Sequence, residues 1–151
     1  MNMYINSIRY NDSVVDGPGV RTVLFMQGCD IRCIGCQNQS TWDMKKGTLI
    51  EVNDLVEELN QKVFNKKITI SGGEPLMQKD ALIELLIKLK KYDFDITLYT
   101  GHNKEEVPKI IIKKVNYLKT GNFIEKLKTT IKPFVGSTNQ IFEEVNNETI
   151  K

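Results

Sequence analysis

Apolar and polar positions along this chain follow two periods, and the period switches repeatedly. Residues 4–10 (YINSIRY) are rich in β-favouring side chains, and the two-residue repeat of a strand would put Tyr4, Ile8 and Tyr10 on one face. This predicts a strand that starts the sheet or pairs at its edge. Residues 21–26 (RTVLFM) form a short apolar run of β-formers, the signature of a buried strand. The period then changes. Val52, Leu55, Val56, Leu59, Val63 and Phe64 fall at the i, i+3, i+4, i+7 spacing of an amphipathic helix over 52–64, with Asn53 as its cap. A strand at 67–71 (KITIS) follows, and Asp80 precedes a second helix over 81–90 that turns Leu82, Leu85, Leu86 and Leu89 inward. Residues 95–100 (DITLYT) read as the next strand. Asn103 is placed to cap a third helix, with Glu105 and Glu106 in its favourable first turn and Pro108 tolerable only near that start. Residues 115–119 (VNYLK) read as another strand, and from Phe123 the tail is less regular, a short helical stretch interrupted by Pro133 and Gly136.

Strand and helix therefore alternate, which argues for an α/β fold with a mainly parallel sheet. Ligands of such sheets gather at the carboxyl ends of the strands. Three stretches should lie there: the loop after residue 26, the SGGEP turn at 71–75, and the YTG step at 99–101. The 151 residues are expected to form a single domain, 1–151, large enough to bury a real core. No internal repeat or low-complexity segment is visible.

Composition narrows the class only a little. Hydrophobic content of 40% and charged content of 26% are ordinary for a soluble protein, and a net charge of +2 gives no strong attraction to nucleic acid. No apolar run approaches the ~20 residues of a membrane span. The N-terminus lacks the apolar core of a signal peptide, so a cytoplasmic location is expected. The one concentrated charge pattern is residues 109–132, with seven lysines against a single acid, Glu125. A solvated face is the usual explanation of such a run; a docking surface for a protein partner is the alternative.

The chemistry is concentrated in residues 28–38, GCDIRCIGCQN, which hold all three cysteines, Cys29, Cys33 and Cys36. Three thiolates on one short loop can converge on one soft-metal centre. An ordinary cubane takes four cysteines, so three would leave one iron open to a small molecule. A structural zinc normally takes four cysteine or histidine ligands, and the one histidine, His102, is far along the chain. Disulfides fit poorly, because an odd count leaves one thiol over. An iron–sulfur cluster is favoured, with zinc or inert thiols as the alternatives.

The C-x3-C-x2-C spacing resembles the signature of the radical S-adenosylmethionine (SAM) superfamily. Together with GPGVRTVLFMQGC (17–29), NQSTW (38–42), SGGEP (71–75) and GSTNQ (136–140), the chain is similar to the activating components of anaerobic, glycyl-radical ribonucleotide reductases, from about Tyr4 to about Phe142. The resemblance implies an incomplete (β/α) barrel. It also implies a 4Fe-4S cluster on Cys29, Cys33 and Cys36, whose open iron is chelated by the amino and carboxylate groups of SAM. Reductive cleavage of SAM would give a 5′-deoxyadenosyl radical, which takes hydrogen from a glycine of the reductase. The implied partners are that reductase and a flavodoxin- or ferredoxin-like electron donor, with neither nucleic acid nor membrane.

Site roles follow residue by residue. Gly72 and Gly73 lack side chains and let backbone approach SAM; Glu74 can accept from its amino group. Gly35, Gln37 and Asn38 flank the last cysteine and are expected to touch SAM or order the loop, although plain loop chemistry explains them equally well. Gly35 departs from the aromatic residue that many radical-SAM proteins carry before the third cysteine, which puts adenine stacking there in doubt. Thr100 and Gly101 could offer backbone groups to the adenosine, or simply end a strand. The turn at 16–19 (DGPG) would close one side of the site, and GSTNQ would help close it or meet the partner. His102 reads as a surface or structural residue rather than a catalytic one, and Trp42 as core. Two other radical-SAM assignments remain, a pyruvate formate-lyase-type activase and a small-molecule enzyme of the deazaguanine-forming kind. From another class, so does a metal-binding or electron-transfer module.

Overall fold

The computed structural model describes residues 1–29 and 42–146. Its strands are β1 (Asn2–Ser13), β2 (Arg21–Met26), β3 (Thr48–Glu51), β4 (Lys67–Gly72), β5 (Asp95–Tyr99), β6 (Tyr117–Thr120) and β7 (Ile141–Glu144). Its α-helices are α1 (Val52–Lys62), α2 (Lys79–Lys90) and α3 (Lys109–Lys114). All seven strands belong to one sheet in the order β3-β1-β2-β4-β5-β6-β7. The centre, β2 through β6, is parallel, as the strand–helix alternation predicts. The flanks are antiparallel: β1 pairs with β2 and β3, and β7 pairs with β6. The edges β3 and β7 do not meet, so the sheet is open.

The helices share one face of the sheet. Leu24, Ile68, Ile70, Ile96, Leu98 and Leu118 point into a single cluster with Leu55, Leu59, Leu82, Leu85, Leu86 and Leu89, all completely buried. A 12-residue helix is marginal alone in water; four buried leucines at about 1.5–3 kcal/mol each are what hold α2 in place. By alternation, Thr69, Ser71, Thr97 and Tyr99 line the opposite face, which is free of α-helix among the described residues.

Four local expectations are corrected. In β1 the predicted face of Tyr4, Ile8 and Tyr10 is broken by a register shift between Ile5 and Ser7. Met3 and Ile5 face the core before it, Ile8 and Tyr10 after it, and Tyr4 points the other way. A bulge adds one residue and inverts the alternation, so periodicity alone cannot follow it. Helix α1 stops at Lys62; Val63 is buried but Phe64 is 86% exposed, and the cap is Glu51, whose carboxylate accepts from the Asn53 amide. After Asn103 the chain makes only a 3-10 turn (Lys104–Glu106), and α3 begins beyond Pro108. Strands β3 and β7 were not expected: each is four residues long, partly exposed, and carries no two-sided apolar run. Among the described residues no helix is long and apolar enough to cross a membrane.

Candidate active site

Because β2, β4 and β5 run parallel, their carboxyl ends emerge along one edge. There β2 leads through Gln27 and Gly28 to Cys29, whose side chain is buried in the edge. The Cys29 amide donates to the Trp42 carbonyl at 3.1 Å, which joins the two described segments in one neck. Two glutamines brace it. Fully buried Gln27 donates Nε2 to the Asp43 carbonyl and accepts from Asn6. Gln78 donates to the carbonyls of Tyr4 and Gln27 and accepts from the Tyr4 amide. Cys33, Gly35, Cys36, Gln37 and Asn38 lie outside the described residues.

The SGGEP turn is stitched to that neck. The Gly73 amide donates to the Met26 carbonyl at 3.1 Å, and the Glu74 amide to the Gly28 carbonyl at 2.7 Å. Gly72 has φ +106°, and a Cβ there would lie 2.4 Å from both the amide nitrogen and the carbonyl oxygen of Met26, so no other residue fits without separating β4 from β2. Glu74 is buried, and its carboxylate accepts three hydrogen bonds. Oε2 takes the Leu76 amide (2.9 Å) and the Thr100 hydroxyl (2.8 Å); Oε1 takes the Gly101 amide (2.7 Å). Burial pushes its carboxyl above the ordinary 4.5, opposed by those three donors and by the nearby His102. A carboxylate offers about four lone-pair sites, so one direction is left for a ligand. Glu74 thus pins the end of β5 to the turn after β4. The sequence reading brought Glu74, Thr100 and Gly101 to the same edge but not to each other. His102 sits beside them, half-buried, its Nδ1 3.3 Å from Glu106 on the surface side.

On the helix-free face lies a cavity of about 560 Å³. Its floor is Phe25, Ser71, Tyr99 and Lys119; its walls are residues 14–16 and the tail from 128 to 136. Arg21 holds the first wall. Its guanidinium is completely buried and donates to the Pro18 carbonyl (2.8 Å), Thr69 Oγ1 (3.0 Å), the Ile68 carbonyl (2.9 Å), and the carbonyl and carboxylate of Asp95 (2.8 and 2.9 Å). Thr69 passes its own proton to the Asp16 carbonyl at 2.5 Å. The DGPG turn is thereby fixed over the strands, beside the cavity. The tail wall is closed by Thr129 N to Gly136 O (3.1 Å) and Thr138 N to Leu127 O (2.9 Å). The GSTNQ segment knots it down: Gln140 accepts from the amides of Gly136 and Ser137 and donates to the Gly121 carbonyl. Arg21, Gln27, Gln78 and Tyr99 were missed from the sequence; an arginine opening an otherwise apolar strand was the one available signal.

The residues at the edge fit a thiolate-held cluster with a small ligand beside it. Cys29 emerges against a turn whose glycine permits close approach, next to a carboxylate with acceptor capacity left. Among the described residues no group of three or more cysteine, histidine, aspartate or glutamate side chains offers a rival metal site.

Residues 15–143 match the family model described as a 4Fe-4S single cluster domain. The chain is 34% identical over 138 residues to the anaerobic ribonucleoside-triphosphate reductase-activating protein of enterobacteria phage T4, covering 87% of this chain and 88% of that one. It is 30% identical over 143 residues to the protein of the same name from Escherichia coli K12, covering 87% and 93%. The pyruvate formate-lyase-activating enzyme of Clostridium pasteurianum is 38% identical over 105 residues, but only 44% of that longer protein is covered. In fold, the crystal structure of QueE from Escherichia coli superposes with a TM-score of 0.56 at 18% identity, over 76% of this chain and 68% of that one. The chain belongs to the 4Fe-4S single cluster family and, within it, to the radical-SAM enzymes that activate glycyl-radical proteins.

Proposed function

We propose that this enzyme activates an anaerobic ribonucleoside-triphosphate reductase by installing a glycyl radical in it. The observation that carries the reading is the convergence of Cys29, the Gly72–Glu74 turn and the Thr100–Gly101 step at one edge of the sheet, in a chain whose length matches that of the reductase-activating relatives. Cys29, Cys33 and Cys36 would hold three irons of a 4Fe-4S cluster, leaving the fourth for SAM. With the cluster reduced by a flavodoxin- or ferredoxin-like donor, cleavage of SAM supplies the radical chemistry that removes hydrogen from a reductase glycine. The chain's own residues supply position. Gly72 and Gly73 would admit the amino acid end of SAM to the backbone, and the remaining acceptor direction of Glu74 would take its amino group. The carbonyls of Thr100 and Gly101, whose amides already donate to Lys119 and Glu74, would meet the adenosine, and Gly35, Gln37 and Asn38 would touch SAM or order the loop. The open sheet is read as the wall of an incomplete barrel whose helix-free face turns toward the protein substrate, away from water.

The test is anaerobic reconstitution, electron paramagnetic resonance of the reduced protein with and without SAM, and a 5′-deoxyadenosine assay, repeated with reductase. A SAM-sensitive cluster signal, deoxyadenosine, and a glycyl radical on the reductase are expected. A radical formed on pyruvate formate-lyase but not on the reductase would overturn the assignment of partner. A zinc-loaded protein, or a cluster blind to SAM, would overturn the chemistry.

A further inference from the structure

The cavity on the helix-free face carries a concentrated positive charge. Among the described residues, three lysines line it, Lys119, Lys128 and Lys132, against one acid, Asp16. Asp16 is already engaged, accepting from the Ser13 hydroxyl at 2.5 Å. Lys119 holds its ammonium 3.8 Å from the centroid of the Tyr99 ring, a cation–π contact that fixes the charge over the cavity floor. Lys132 is tied by Nζ to the carbonyls of Thr138 (3.3 Å) and Gln140 (3.1 Å), which leaves one of its three protons to give. Beneath them Tyr99 is 93% buried, and among the described residues its hydroxyl has no hydrogen-bond partner, a costly state for a buried phenol. A ligand acceptor would satisfy it.

The rim has a different character. Val14 is 66% exposed and Val15 70%, both lining the first wall, and Ile131, which follows the lining residue Thr130 and precedes the lining residue Lys132, is 92% exposed. Branched apolar side chains left in water on both sides of a basic cleft form a protein-docking pattern: apolar contact at the lips, charge selection inside. Both walls are held by the hydrogen bonds of Arg21 and Gln140, so the cleft is pre-formed and little ordering cost attends binding.

We propose that this cleft captures an acidic segment of the partner protein, one carboxylate entering between Lys119 and Lys128 to reach the Tyr99 hydroxyl while Val14, Val15 and Ile131 clasp the flanking chain. The proposal rests on the reading that the substrate is a protein, the reductase. It assigns the lysine-rich stretch a role in choosing that substrate, by attraction for carboxylates and rejection of basic segments.

The test uses the full-length chain with its cluster and the intact reductase. Affinity is measured at several salt concentrations for wild type, for the double variant Lys119→Gln/Lys128→Glu, and for Ile131→Asp, with 5′-deoxyadenosine formation without reductase assayed alongside. Binding should weaken about tenfold or more in each variant. The salt dependence of wild type should flatten in the double variant, and partner-free deoxyadenosine formation should stay within about twofold. Unchanged affinity in the double variant, with a normal circular dichroism spectrum, overturns the proposal. So does loss of partner-free SAM cleavage, which would assign these lysines to the SAM carboxylate. A wild-type enzyme that cleaves SAM but neither binds the reductase nor forms its radical defeats the proposed function itself; an active wild type with unaffected variants defeats only this cleft.

Discussion

Replacing Arg21 with methionine keeps the length of the side chain and removes the whole hydrogen-bonding head. Five donated bonds disappear, and the carbonyls of Pro18, Ile68 and Asp95 and the Asp95 carboxylate lose a partner inside the protein. Breaking one side of a buried ion pair costs about 3–5 kcal/mol. Asp95 is 22% exposed, so water recovers part of that, and about 3 kcal/mol is the working value. In a chain of this size each kcal/mol moves the melting temperature by about 2–4 °C, so a drop on the order of 10 °C is expected. Lysine at the same position keeps a charge opposite Asp95 but has three donors rather than five in a planar fork, and should lose roughly half as much. Urea unfolding followed by circular dichroism, at matched cluster content, measures both. Because Arg21 fixes the DGPG turn beside the cavity, glycyl-radical formation should fall further than partner-free SAM cleavage in Arg21→Met. An Arg21→Met protein within about 1 kcal/mol of wild type, or a lysine variant as damaged as the methionine, would refute the account of this network.

Three further outcomes are expected. Gly72→Ala forces a side chain at φ +106° into the Met26 backbone; it should cost at least about 1–2 kcal/mol and lower SAM cleavage, read by thermal melting and deoxyadenosine yield. Glu74 carries a carboxyl raised by burial, so its contribution to stability is complete below about pH 4.5 and is lost as pH rises through the raised value. Glu74→Gln removes that titration, and the stability of wild type relative to the variant should fall across that window. Without the carboxylate, one of the two amides of Leu76 and Gly101 is left facing an NH2 group, an added loss of about 1–3 kcal/mol at all pH values, measured by urea unfolding. Cys33→Ala should abolish cluster assembly and SAM cleavage, seen as lost iron and sulfide in the reconstituted protein; a variant that keeps full activity would rule out the three-thiolate centre.

The sequence by itself determined the central strands and their direction, because β2, β4, β5 and β6 are buried on both faces or nearly so and leave continuous apolar runs between helices of clear 3.6-residue period. It also determined that Cys29, SGGEP and the Thr100–Gly101 step share one edge, since parallel strands put every carboxyl end on the same side. Local signals stopped there. The bulge after Ile5 inverts a face of β1 without any change in residue type, and the edge strands β3 and β7 are too short and too exposed to show a period. Tertiary structure alone decided that Glu74 spends three of its lone pairs on Leu76, Thr100 and Gly101, which leaves one direction for a ligand. It alone also brought Arg21 to Asp95, 74 residues away, and Tyr99 beneath Lys119 at the floor of a cleft walled by residues 14–16 and the tail. Those are pairings between distant segments, and their energies come from burial and directional hydrogen bonds that exist only once the sheet has brought the segments together.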